Sequence, residues 1–141
     1  MEFVIHHTRD FEGTCYIEIA PRAYLGKHWQ SGSLFIAEDD FNVTESLIDQ
    51  CVSNYNPYGA TDISTTVGQM LIMEWRTAAY LLVNDDSKAS NILHHKCSRY
   101  KKDKEPWLEQ NRVKIANMLL ELASSCEKLL NTHGCFCILG L

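Results

Sequence analysis

Positive charge is nearly missing from the middle of this sequence. Residues 33–86 hold nine carboxylates and one base, Arg76, and the stretch SGSLFIAEDDFNVTESLIDQ (31–50) has five carboxylates and no base at all. An acidic balance of this kind weighs against a nucleic-acid partner, whose phosphates demand lysine and arginine. Long apolar runs are lacking too. No segment approaches the ~20 apolar residues of a membrane helix, so no membrane partner is expected. MEFVIHHTRD offers at most four apolar residues in a row, so no export leader is expected either. No C-x-x-C pair occurs among Cys15, Cys51, Cys97, Cys126, Cys135 and Cys137. All six read as reduced thiols of a cytoplasmic protein, with Cys51 and Cys126 acting as small core hydrophobes. The seven glycines never gather into G-x-G-x-x-G or a P-loop, which excludes those nucleotide cradles. The three prolines, at 21, 57 and 106, mark turns and not a flexible linker.

What is present is ordinary for a folded chain: 141 residues, 45% hydrophobic and 22% charged. That length and balance predict one domain over 1–141 with a core of its own. EFVIH (2–6) and TCYIEIA (14–20) read as two strands joined by RDFEG. In the second, Cys15, Ile17 and Ile19 alternate with Tyr16 and Glu18, which predicts one buried and one partly wet face. SLFIA (33–37), after the loop GKHWQSG, is a third strand. Asn42 is the expected N-cap of a helix, with Glu45 completing a capping-box-like pair and Val43 or Thr44, Leu47, Ile48, Cys51 and Val52 on its apolar side. After the turn NYNPYG, Thr61 or Asp62 is expected to cap a second helix running to Val83. Its apolar stripe is Ile63, Val67, Met70, Leu71, Trp75, Ala78, Leu81 and Leu82. Gly68 inside that pattern points to close helix packing. A short helix over 88–95 comes next, then the basic run HKCSRYKKDK. Pro106 opens a third long helix with Leu108, Ile115, Leu119, Leu122, Cys126 and Leu129 on its core face. Gly134 supplies a left-handed stop, and CFCIL (135–139) reads as a buried strand. The predicted fold is α+β: a small sheet from the N-terminal strands plus a C-terminal strand, packed with three main helices.

Chemistry has little to stand on. His6-His7, His94-His95 with Cys97, and Cys135 with Cys137 invite a metal, but structural zinc sites pair ligands two to four residues apart, twice. His95-x-Cys97 and Cys135-x-Cys137 are tighter than that, and adjacent histidines on a strand point to opposite faces. Neither a metal nor a cofactor is expected. Cys97 beside His94 and His95, or nearby Ser90, could serve as nucleophile, and Lys96, Arg99, Lys101 and Lys102 would lower a thiol pKa. No nucleophile elbow or oxyanion loop accompanies them. Asp39-Asp40 and Asp85-Asp86 are adjacent pairs, which rarely converge on one substrate atom and which turns favour for local hydrogen bonding. No catalytic residue is assigned, and the chain is not expected to be an enzyme.

The charge distribution itself remains. Net charge is −1 over 1–32, −8 over 33–86, +5 over 87–104 and −1 over 105–141. A field segregated this way attracts a basic partner and speeds encounter. A nuclease is basic where it holds phosphates, so an acidic protein can occupy its groove. Interfaces also favour aromatic anchors. The expected docking surface is therefore Glu38, Asp39, Asp40, Phe41, Glu45, Asp49, Tyr55, Tyr58 and Asp62. Two rival readings use the segment 94–104: a small enzyme centred on His94, His95 and Cys97, or an RNA-binding or regulatory module built on 96–104 with Tyr100.

NYNPYGATDIS (54–64) leads into an amphipathic helix carrying Glu74-Trp75, and the chain closes on CFCILGL (135–141). In these features the sequence resembles immunity proteins of bacterial contact-dependent growth inhibition and related polymorphic toxin systems. The resemblance implies a cytoplasmic, non-enzymatic inhibitor that binds the toxic C-terminal domain of a large exported effector. It transfers no site residues, because each immunity protein meets its toxin with its own surface. Joined to the charge argument, it makes the expected partner a basic toxin domain, a nuclease, docked on residues 38–62.

Overall fold

The computed structural model describes residues 3–7, 15–94 and 105–140. Five strands, β1 (Ile5–His6), β2 (Tyr16–Pro21), β3 (Leu34–Ala37), β4 (Ala60–Ile63) and β5 (Phe136–Leu139), form one antiparallel sheet in the order β1-β3-β2-β5-β4. The helices are α1 (Glu38–Phe41), α2 (Glu45–Cys51), α3 (Thr65–Asn84), α4 (Ala89–Ile92), the turns over 105–110 (α5) and α6 (Arg112–His133). The fold is α+β, as expected. β5 lies inside the sheet, between β2 and β4, and all four of its residues are buried.

The pairings fix which side chains share a face. Ile17 sits opposite Ile36, which faces Ile5, and Pro21 sits opposite Phe136, which faces Ile63. This face carries the main core with Leu71, Trp75, Leu82, Ile115, Leu119 and Leu122 of α3 and α6. Trp75 is fully buried, and its indole Nε1–H donates to Thr44 Oγ1. Gly68 lets α3 approach α6 and β5: a Cβ there would stand 2.7 Å from Leu130 and 3.2 Å from Phe136. Gly134 takes the left-handed conformation (φ 78°) that ends α6.

Several expectations are corrected. Ala60–Ile63 is an edge strand and not the start of a helix, and Ser64 is the N-cap, its hydroxyl accepting Val67 N–H at 3.3 Å. Buried Thr61 and Ile63 alternate with exposed Ala60 and Asp62, a two-residue period that suits pairing with β5. Asn42 is no N-cap. The chain turns helical at Glu38, three carboxylates in the first turn favour that start, and a 3-10 turn over Asn42–Thr44 leads into α2. The third long helix is interrupted at Asn111, whose side-chain amide donates to Trp107 O and closes α5 before α6 begins. The short helix is Ala89–Ile92, and residues 95–104 lie outside the described residues. Finally, on the second face of β2 Tyr16 is half-exposed as expected, but Glu18 is buried, 4% exposed.

That second face carries Glu18, Phe35 and Leu139 side by side, then Ala20, Cys137 and Asp62. The loop 22–33 folds back across it, with the Trp29 ring stacked on Phe35 at 5.1 Å. Ala20, Cys137 and Leu139 are buried there as a small cluster separate from the main core.

At the other end of the molecule Arg112 joins three elements. Its guanidinium donates to Leu82 O at 2.8 Å, Asp85 O at 2.6 Å and Ser87 O at 2.8 Å, and pairs with Glu109 Oε2 at 3.1 Å. Glu109 in turn accepts the first N–H of α4, from Ala89. One side chain therefore takes up a carbonyl of the last turn of α3 and two of the segment that follows it. Arg112→Ala is expected to lower the unfolding free energy by about 2–3 kcal/mol in urea titrations. Arg112→Lys should recover only part of this, because an ammonium cannot span those carbonyls as a planar fork does.

Candidate docking surface

The nine residues expected to form the docking surface divide into three groups. Glu38, Glu45, Asp49 and Tyr55 come together. Glu45 and Asp49 are one turn apart on α2, Glu38 opens α1, and the Tyr55 side chain packs partly buried against the core. Burial, and then the negative fields of Glu45, Asp49 and Glu38, raise the Tyr55 phenol above its ordinary pKa. Asp39 is exposed on α1, and Tyr58 is 76% exposed on the turn 56–59, its N–H received by Asn56 Oδ1 at 3.0 Å. Glu38, Asp39, Glu45, Asp49 and Tyr55 thus make an acidic patch around one tyrosine, and Tyr58 is exposed on its own turn.

Asp40 and Phe41 are corrections, because neither lies on the surface. Phe41 is fully buried in the core and Asp40 is 3% exposed, with Oδ2 accepting Phe3 N–H at 3.0 Å. A helical turn sends four successive side chains in four directions, so the run Glu38–Phe41 cannot present them all to one partner. Asp62 also stands apart. It projects from β4 on the loop-covered face, where its carboxylate accepts Tyr24 N–H at 2.8 Å.

The local field is undiluted by the single base of the middle stretch. Arg76 on α3 is held by Glu127 of α6 through two hydrogen bonds, at 2.9 and 3.3 Å. This pair lies along an open groove of about 580 Å³ between the two helices, lined also by Ile72, Met73, Tyr80 and Leu130. A smaller cleft of about 340 Å³ is shared by Glu38 and Asp39 with Val4, His6 and Tyr16.

Among the described residues, no group of three His, Cys, Asp or Glu side chains could hold a metal ion. Cys15, Cys51, Cys126, Cys135 and Cys137 are free thiols. Burial pushes the Cys126 thiol up, and burial with the nearby Asp62 charge pushes Cys137 up to about 11. Such thiols stay protonated at neutral pH and make poor nucleophiles. Among the described residues, no helix is long and apolar enough to cross a membrane. His94 closes the described part of the chain before 95–104, so the rival site around His95 and Cys97 lies outside it.

Sequence reasoning missed Glu18 and the loop it holds. A carboxylate in the middle of YIEIAP was the available signal, but nothing local in the sequence says what covers it. Comparison with protein-family models, curated proteins and solved structures gives no match for this chain, so the reading of its surface rests on its own residues.

Tyr55 offers a direct check on the acidic surface. A raised folded-state pKa means that the neutral phenol stabilises the fold fully below the unfolded value, about 10, and that this contribution is lost as pH rises above it. The phenolate absorbance assigned to Tyr55, by difference from Tyr55→Phe, should emerge later than that of the other tyrosines. Glu45→Gln with Asp49→Asn should bring it back toward the ordinary range. An unmoved midpoint would mean that these carboxylates do not act on Tyr55.

Proposed function

We propose that this chain is a non-catalytic inhibitor of the immunity type, which binds a basic toxin domain, a nuclease, through its acidic surface and so blocks the groove where phosphates would sit. The reading places it in the cytoplasm with its partner. The observation that carries it is the convergence of Glu38, Glu45 and Asp49 on Tyr55, with Asp39 exposed next to Glu38 on α1. Carboxylates gathered on one surface steer a basic protein at long range, and tyrosines supply contact area at low entropic cost once it arrives. The partner's identity comes from the sequence resemblance and from this complementarity of charge.

The test uses the toxic C-terminal domain of a large exported effector encoded beside this chain. A one-to-one complex is expected, with loss of nuclease activity and an association rate that falls steeply with salt. Glu38→Lys, Asp39→Lys and Asp49→Lys together should slow association by about tenfold or more and flatten its salt dependence. Asp40 is left alone because it holds Phe3. Absence of a complex, or one indifferent to both salt and the triple change, would sink the proposal.

A further inference from the structure

The loop 22–33 takes no part in the acidic surface, yet it is tightly built. Its anchor is Glu18. The buried carboxylate accepts Trp29 N–H at 2.6 Å, Gln30 N–H at 2.9 Å and the Ser33 hydroxyl at 2.6 Å, and His28 Nδ1 stands 3.9 Å away. A carboxylate out of water is costly unless donors converge on it, and here all of them come from the loop. The loop also contains two bulky residues in the left-handed region, Arg22 (φ 67°) and Trp29 (φ 61°). Such conformations persist only where the surroundings impose them, and they gather at sites of recognition.

What the loop displays is apolar and basic. Leu25 is 59% exposed, Trp29 44% and Tyr24 38%. The Trp29 ring is backed by Phe35, and Tyr24 meets His28 edge-on at 6.3 Å. Residues 19–37 contain Arg22, Lys27 and His28 and not one carboxylate. Asp62, beneath the loop, is engaged by Tyr24 N–H. Rigid aromatic anchors of this kind are the usual hot spots of interfaces, and a loop ordered in advance loses little entropy on binding.

We propose that loop 22–33 is a second recognition element, positioned by Glu18, which docks its Leu25–Trp29 ridge into an apolar pocket rimmed by carboxylates on the same toxin domain. The inference rests on the inhibitor reading for the partner's identity. Nucleases that use divalent ions hold them with carboxylates set in a groove that is basic for phosphate. An acidic patch and a basic, aromatic loop carried by one chain are the complement of that sign pattern. The acidic surface then governs approach and the loop governs residence.

The experiment measures association and dissociation rates with that toxin domain for the unaltered chain and for Leu25→Asp, Trp29→Ala and Glu18→Gln. Leu25→Asp and Trp29→Ala should speed dissociation by about 30-fold or more while association changes little. Leu25 lies on the surface, so its replacement leaves the core intact and guards against a misfolded variant. Glu18→Gln should speed dissociation and make Trp29 more accessible to a fluorescence quencher, and Ser33→Ala, which removes one of the same donors, should move both in the same direction. A toxin domain that does not bind the unaltered chain overturns the inhibitor reading and this inference with it. A tight complex whose dissociation ignores Leu25→Asp and Trp29→Ala overturns this inference alone. So does undiminished toxin binding by variants that have lost binding to a single-stranded RNA oligonucleotide, which would give the loop to nucleic acid.

Discussion

A carboxylate removed from water must be met by donors, and at Glu18 two backbone N–H groups and a hydroxyl are all supplied by one loop. Much of the second sheet face follows from this. To bring Trp29 N–H and Gln30 N–H onto the same carboxylate, the backbone takes a left-handed turn at Trp29. That turn lays the indole over Phe35 and draws the loop across the sheet. Ala20, Cys137 and Leu139 are thereby buried in a small second core. The shift of the Cys137 thiol, caused first by burial, belongs to the same cover.

The opposite face is held by a different logic. α3 and α6 bury a continuous apolar stripe against the sheet, and Gly68 permits their close approach. Polar contacts reinforce this arrangement: Arg112 reaches Leu82 O and Asp85 O at and just past the end of α3, Arg76 is locked to Glu127, and the Thr65 hydroxyl donates to Gly134 O. Because the only cation of the middle stretch is committed to that pair, the acids of α1 and α2 act together. The molecule therefore shows two surfaces of opposite character, an acidic one around Tyr55 and a basic, aromatic one on the loop.

How much of this could be read from the sequence depends on whether the signal was local. The stripe Leu71, Trp75, Ala78 and Leu82 has the helical period in its own letters, and CFCIL is apolar enough to announce an interior strand; both are found as expected. Thr61-Asp62-Ile63 is too short to carry a period of its own and reads as the start of the neighbouring helix; only pairing with β5 makes it a strand. Glu18 looked solvated because its cover comes from residues more distant in the chain. Asp40 and Phe41 show the limit of reading charge along a line. They sit among surface acids in the sequence, but α1 turns both of them inward. The concentration of acids was thus legible in composition, and which of those on α1 face outward follows from helix geometry.

The place of β5 has a consequence in time. It is the last strand in chain order, yet it is the bond between β2 and β4, pairing Glu18 with Leu139 on one side and Ala60 with Leu139 on the other. Until it arrives, the sheet exists as separate pieces with open edges, and α3 has no finished surface to settle on. Contacts so far apart along the chain slow folding, because a long loop must close before any of them forms. Open strand edges invite pairing with other chains in the interval. A nascent copy would therefore stay unfinished until β5 has left the ribosome, and its yield in a cell would depend on how well it is kept from its neighbours over that period.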